Sequence, residues 1–340
     1  MSDSQAPAEV GKSTPAGPAG GGPGRGRWLL NLVTAVMGSK LVRWGFVAVT
    51  VAIGAYAVVS QWSHVSSALA RLGFLPVAGA LVAILAALLA AMQVWRVLLA
   101  ALGSPLPARP AARIMFIGQL GKYLPGSIWP VLAQMELGNE YQVPRHRSAS
   151  AVVLTMLLTT LTGLLTALVA LPFVAGSTSY AWALLAAPAL LVLLVPRVLN
   201  AVLNRVLRLA RRPPLEVELT GRAMAGAVAW SFVSWVFYGV QIWVLALALG
   251  APAGKGFLLA LGGFAFAWTV GFLVVIAPAG AGVRDVLLAL TLGLVIGHGA
   301  ALAIALVSRV LLTIGDLVTA GVAAAFTRRP GAQESGPAGP

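Results

Sequence analysis

The chain has 340 residues, a net charge of +14, only 9% charged residues and no cysteine. Its 59% apolar content and mean hydropathy of +0.91 lie far above those of a soluble domain, so most of it cannot face water. A disulfide framework or thiolate metal site is excluded, and His64, His146 and His298 stand too far apart in sequence to give a metal-ligand spacing.

The remaining class is an all-α polytopic membrane protein, without metal or cofactor. The first 24 residues and the last 11 are rich in Gly, Pro, Ala and Ser and cannot bury enough apolar surface to fold, so 1–40 and 328–340 are expected to be disordered cytoplasmic tails. The N-terminal tail lacks the regions of a signal peptide, so the first span is expected to serve as a retained insertion signal. A bilayer core about 30 Å thick needs roughly 20 apolar helical residues. Spans are predicted at 44–62, 75–95, 149–174, 180–195, 223–249, 257–277 and 300–326. The segment 286–296 is too short to cross alone but, with its flanks, makes the seventh of about eight crossings. Barrel strands are disfavoured, since the apolar runs are long and do not alternate.

Orientation follows from Lys and Arg near the span ends. Arg25, Arg27, Lys40 and Arg43 precede the first span, and Arg145 and Arg147 the third. Arg197, Arg205, Arg208, Arg211, Arg212 and Arg222 follow the fourth, and Arg328 and Arg329 the last. The alternate connections carry only Arg71 and Lys255. Both termini are therefore expected in the cytoplasm, with the chain in the cell membrane. This distribution also argues against nucleic-acid binding, because the arginines follow the membrane pattern rather than a phosphate-binding stripe. Residues 197–212 read as an interfacial helix that attracts anionic headgroups, or as a topology signal alone.

Two apolar segments are interrupted. Between the second and third spans, Pro125 removes a helical hydrogen bond and Gly126 permits a turn. Two short helices are expected to meet there and to enter and leave from the cytoplasmic side, with protein or water around the turn. The second break is at Pro278, followed by Gly280, Gly282 and a short helix. Paired Pro/Gly-interrupted segments in two halves of a chain point to a transporter substrate site. Proline kinks that serve packing alone are the competing reading.

Charges inside spans ask for a reason. Arg309 and Asp316 are seven apart on one face of the last span, with Thr313 between them, and are expected to bracket a polar site. Arg284 and Asp285 open the short helix after Pro278, while Lys122 precedes the first break and Glu136 follows it. Arg96 reads as an interfacial anchor. Thr155, Thr159, Thr162 and Thr166 form one stripe, and Ser231, Ser234, Tyr238 and Gln241 another. Either could line a headgroup groove or pack helices; packing is favoured for the threonines, whereas Tyr238 and Gln241 are large for that role. No phosphate loop, dinucleotide fingerprint or nucleophile–base pair is present, so an enzyme is not expected.

The run Gly118-Gln-Leu-Gly-Lys-Tyr-Leu-Pro-Gly-Ser-Ile-Trp129, the run Pro278-Ala-Gly-Ala-Gly-Val-Arg-Asp285 and the Ala-rich span with Arg309 resemble the lysylphosphatidylglycerol synthase transmembrane family. This flippase-like region also occurs in multiple peptide resistance factors. The resemblance covers about residues 40–327, so 41–327 is expected to be one flippase-like domain. Asp285 stands where the family commonly has glutamate, and Trp129-Pro130 where many members have glycines leading to an arginine. The resemblance is to the lipid-translocating half, and the soluble synthase domain of those factors is not expected in this chain.

The resemblance implies movement of a polar lipid between leaflets, either an anionic or aminoacylated phospholipid or a polyprenyl-linked lipid. The expected path comprises Lys122, Tyr123, Pro125, Gly126, Ser127, Trp129, Glu136, Tyr238, Gln241, Pro278, Gly280, Gly282, Arg284, Asp285, Arg309 and Asp316. Arg284 and Arg309 would attract phosphate, and Asp285 and Asp316 supply countercharge. Two rivals stand beside it: a transporter of a small soluble anion, and a non-transporting membrane partner of a lipid-modifying enzyme or glycosyltransferase.

Overall fold

The computed structural model describes residues 70–123, 128–175, 186–209, 219–273 and 282–326. The predicted span 44–62, both tails, residues 180–185 of the predicted span 180–195, and Pro125, Gly126, Ser127, Pro278 and Gly280 lie outside them.

Every element among the described residues is helical. The long helix α1 (Phe74–Ala101) leads to the short α2 (Ala108–Ala112), which runs on through a wide π-type turn, Arg113–Ile117, and a tight 3-10 turn, Leu120–Tyr123. Then follow α3 (Trp129–Asn139), α4 (Arg145–Ala175), α5 (Ala186–Leu193) and α6 (Pro196–Leu209). The chain continues through α7 (Gly221–Ala248), α8 (Ala253–Leu273), α9 (Val283–Ile296) and α10 (His298–Phe326). Five of these, in α1, α4, α7, α8 and α10, are long and apolar enough to cross a bilayer. The protein is thus an all-α multi-pass membrane protein. Helix α9 has 14 residues and so rises only about 21 Å, which is two-thirds of a hydrocarbon core.

Helices α1 and α7 are antiparallel neighbours: Gly79 faces Val244, Ser234 donates to the Ala87 carbonyl at 3.0 Å, and Gly226 faces Val97. Arg147 at the start of α4 donates to the Gly103 carbonyl just past α1 at 3.1 Å. The buried Asn200 of α6 clasps the backbone of Leu219, with its amide donating to the carbonyl and its oxygen accepting from the N–H. These contacts gather the end of α1 and the starts of α4 and α7 at one end of the bundle, the basic end. The α7–α8 connection and the Gly297 turn between α9 and α10 lie at the other.

The hydroxyl stripes form a packing seam. Thr162, fully buried, shares a 2.7 Å hydrogen bond with Ser231 and accepts one from the Trp235 indole at 3.1 Å. Thr155 and Thr166 donate to carbonyls one turn back in their own helix, as hydroxyls do when only apolar neighbours surround them. Beside Thr162, a Cβ on Gly163 would stand 2.7 Å from both Thr269 Oγ1 and the Trp235 ring, so α4, α7 and α8 meet only because that atom is missing.

Substituting Gly163→Ala is expected to lower the thermal midpoint in detergent. Overpacking against the rigid indole costs about 1–3 kcal/mol, more than the roughly 1 kcal/mol of added helix propensity. Gly254→Ala, with open space around its Cβ, is expected to be neutral or mildly stabilising. Tryptophan fluorescence melts of both variants check this.

Candidate functional site: a charged centre between two broken segments

The first broken segment is a hairpin of two short limbs. At its base Arg113 and Glu140 are paired at 3.7 Å. Further in, a Cβ on Gly118 would stand 2.4 Å from Gln134 Cγ, and one on Gly121 would stand 2.7 Å from the Pro130 nitrogen. All three pairs are symmetric about position 126, so the limbs run antiparallel as the sequence predicts. Two missing side chains let the backbones touch, and Pro130 sits in the first turn of α3, where no N–H is needed. Ser148 of α4 anchors the hairpin by donating to the buried Gln134 carbonyl at 3.0 Å.

The second broken segment repeats the plan. A Cβ on Gly271 of α8 would stand 3.1 Å from Arg284 Cβ, and one on Gly263 would stand 2.8 Å from Thr291 Oγ1. Helices α8 and α9 are therefore close antiparallel limbs. Gly282 introduces α9 with φ 84°, a conformation that L side chains avoid. Asp285 Oδ2 accepts the Gly282 N–H at 3.2 Å, which caps the helix and places a carboxylate at its positive end.

Both segments deliver their charges to α10. That helix runs from residue 298 to 326 and its midpoint is residue 312, so Arg309 and Asp316 straddle the centre of the helix. Lys122 Nζ lies 2.7 Å from Asp316 Oδ2, and the Tyr123 hydroxyl donates to the same oxygen at 2.6 Å. Arg309 donates to Asp285 Oδ2, and Arg284 approaches Asp285 Oδ1 at 3.5 Å. The two acceptors are almost fully enclosed, with Asp316 5% and Asp285 7% exposed. Gly315 opens the space for this: a Cβ there would stand 2.7 Å from Ile84 of α1, next to Asp316.

Polar groups of α7 line the same region. Gln241, fully buried, donates from Nε2 to Ser308 Oγ at 3.1 Å, beside Arg309, while its Oε1 has no hydrogen-bond partner. Tyr238, half-buried, stacks on Phe264 with ring centroids 5.2 Å apart and lies close enough to feel Asp316 and Arg284.

Of the residues expected on the path, the structure brings together Lys122, Tyr123, Arg284, Asp285, Arg309 and Asp316, with Tyr238 and Gln241 alongside. Gly282 supports Asp285 from the helix start. Glu136 stands apart: it pairs with Arg145 at 2.9 Å near the basic end. Trp129 opens α3 and is half-buried. Arg309 and Asp316 do not bracket an open site as a pair; each is engaged by a different broken segment. Ser308 went unnoticed in sequence, although it lies beside Arg309 and faces the only large amide of α7. The contact role of Gly118 and Gly121 was hidden too, since spacing alone does not say what a glycine touches.

A polytopic helical membrane protein with a charged centre between two broken segments is the class this arrangement defines. Residues 45–319 match the family model described as the lysylphosphatidylglycerol synthase TM region, and the chain belongs to that family. A search of curated proteins gave no match.

Removing one member of a buried ion pair strands the other, at a cost of about 3–5 kcal/mol, whereas exposed pairs contribute at most about 1 kcal/mol. Asp285→Ala is therefore expected to lower the thermal midpoint in detergent markedly, and Glu136→Ala barely. Parallel melts of the two variants read the difference.

Proposed function

We propose that the protein is a lipid translocase: the headgroup of an anionic or aminoacylated phospholipid, or of a polyprenyl-linked lipid, passes the charged centre while its tails stay in the bilayer. The observation that carries this reading is the convergence of both broken segments on Arg309 and Asp316 at mid-depth. Ionised groups there are costly, and a polar path is the commonest reason a membrane protein keeps them. Membership in a lipid-related membrane family supports the same class. Arg309 and Arg284 are the phosphate-attracting groups, and Asp285 and Asp316 the countercharges that hold them when no headgroup is present. The chain works as an energy-independent or gradient-driven carrier and performs no covalent chemistry.

The side assignment follows from charge. Arg113, Arg145, Arg147, Arg205, Arg208 and Arg222 gather at the basic end, against Arg71 and Lys255 at the other. By the excess of Lys and Arg in cytoplasmic loops, the basic end faces the cytoplasm of a cell membrane and both termini lie on that side.

The test is leaflet exchange in proteoliposomes that carry headgroup-labelled phosphatidylglycerol and receive an impermeant quencher. Quenching beyond the outer-leaflet fraction is expected with the parent protein, falling to the protein-free rate with Arg309→Ala. Uptake of a soluble anion into sealed vesicles without lipid exchange would replace this reading with an anion transporter. No exchange of several lipids, with and without a proton gradient, would replace it with a membrane partner of a lipid-modifying enzyme.

A further inference from the structure

We propose that α6 lies along the membrane surface at the basic end and binds anionic phospholipid headgroups there through Arg197, Arg205 and Arg208. This surface shares no residue with the charged centre. Four observations carry it. The first is where the lipid-facing surface stops. Helix α5 exposes Leu191 and Val192, and Val195 just beyond it is 44% exposed, a surface suited to lipid rather than water. The chain then bends at Leu194–Val195, Pro196 opens α6, and Arg197 is exposed. An exposed valine two residues from an exposed arginine puts the boundary between hydrocarbon and headgroups at this bend.

The second observation is a tether. The buried Asn200 holds both backbone groups of Leu219, two residues before α7 begins. Helix α7 is long and apolar enough to cross a bilayer, and its start carries the exposed Arg222, so that start also stands at a membrane surface. The third is that α6 is divided lengthwise. Arg197, Arg205 and Arg208 are exposed and share an arc of about 80° around the helix. The buried Leu199 lies on the opposite side, and valine or leucine also holds positions 198, 202, 203 and 206. That division suits a helix lying in the interface plane, whereas one projecting into the cytoplasm would meet water all round.

The fourth observation is that these cations are left over from the protein's own pairing. Arg113 pairs with Glu140 and Arg145 with Glu136, while Arg147 donates to the Gly103 carbonyl. Among the described residues, Arg197, Arg205 and Arg208 meet no carboxylate; Arg208 donates only to the Asn204 carbonyl of its own helix. Residues 197–222 hold six arginines against two glutamates, an excess of four positive charges. An anionic leaflet supplies the missing countercharge, and a zwitterionic one does not.

The chain has no cysteine of its own, so Ala201→Cys, exposed in the middle of the arginine arc, carries a single bimane reporter. The full chain is reconstituted in phosphatidylcholine vesicles with a small share of phosphatidylglycerol or phosphatidylcholine that bears a doxyl quencher near the headgroup. Quenching by labelled phosphatidylglycerol is expected to exceed that by labelled phosphatidylcholine at least about threefold, and to approach it at high salt. Arg197→Gln, Arg205→Gln and Arg208→Gln together are expected to bring the two lipids level, while the corresponding three lysine replacements keep the preference. Retention with lysine also shows that the helix tolerates substitution at all three positions. No quenching by either lipid would put α6 in water and overturn the proposal. Equal quenching by both lipids in the parent would reduce the arginines to a topology signal. A preference that survives the glutamine replacements, or is lost equally with lysine, would remove these charges as its source.

Discussion

Hydrocarbon offers no partner to an ion or to a free backbone group, and the rest of the structure is arranged around that constraint. Arg309 and Asp316 lie at the centre of α10, where lipid can neutralise neither. Their partners come from elements far away in sequence: Lys122 and Tyr123 from one broken segment, Asp285 from the other. The charged residues of both segments dock on α10. Buried pairs of this kind add little net stability over apolar packing, yet any other registry of the three elements would leave an ion alone in the membrane. The pairs therefore specify where the hairpins sit more than they hold the protein together.

Packing around the centre is achieved by removal of atoms. The long helices are apolar on all sides, so no amphipathic stripe tells one face from another. Hydrophobicity does not drive helix association inside lipid; close approach and hydrogen bonds do. Gly163 admits the Trp235 ring, Gly315 admits Ile84, and Gly118 and Gly121 bring two backbones into contact. The hydroxyls of Thr162, Ser231 and Ser234 then make the few directional bonds between α4, α7 and α1.

Fold class was plainly legible, because twenty apolar residues in a row admit few structures, and the five described spans fall where composition puts them. The charged residues of the site were legible for the same reason: ionised groups within apolar runs stand out. Their pairing was not. Seven residues separate Arg309 from Asp316, and that spacing suggested a couple facing one cavity, while the partners that engage them lie 24 and 193 positions away. Glu136 carried the right charge near the right break, but α3 leads it away from the centre to Arg145. The threonine stripe was expected to pack helices rather than to line a groove, and the Trp235 indole does donate to Thr162 within it.

The pairing at the centre also has an electrical consequence. Lys122, Arg284 and Arg309 contribute three positive charges, and Asp285 and Asp316 contribute two negative ones, so the five groups together hold one positive charge near the middle of α10. An unliganded centre of that composition is out of balance in a medium that tolerates imbalance poorly. A single monoanion brings it to neutrality; a neutral molecule leaves the excess in place, and a dianion reverses it. Moving one elementary charge across the full membrane changes its energy by about 2.3 kcal/mol per 100 mV, and a half-crossing by about half of that. A centre that is neutral when occupied and cationic when empty feels the membrane potential only in its empty state.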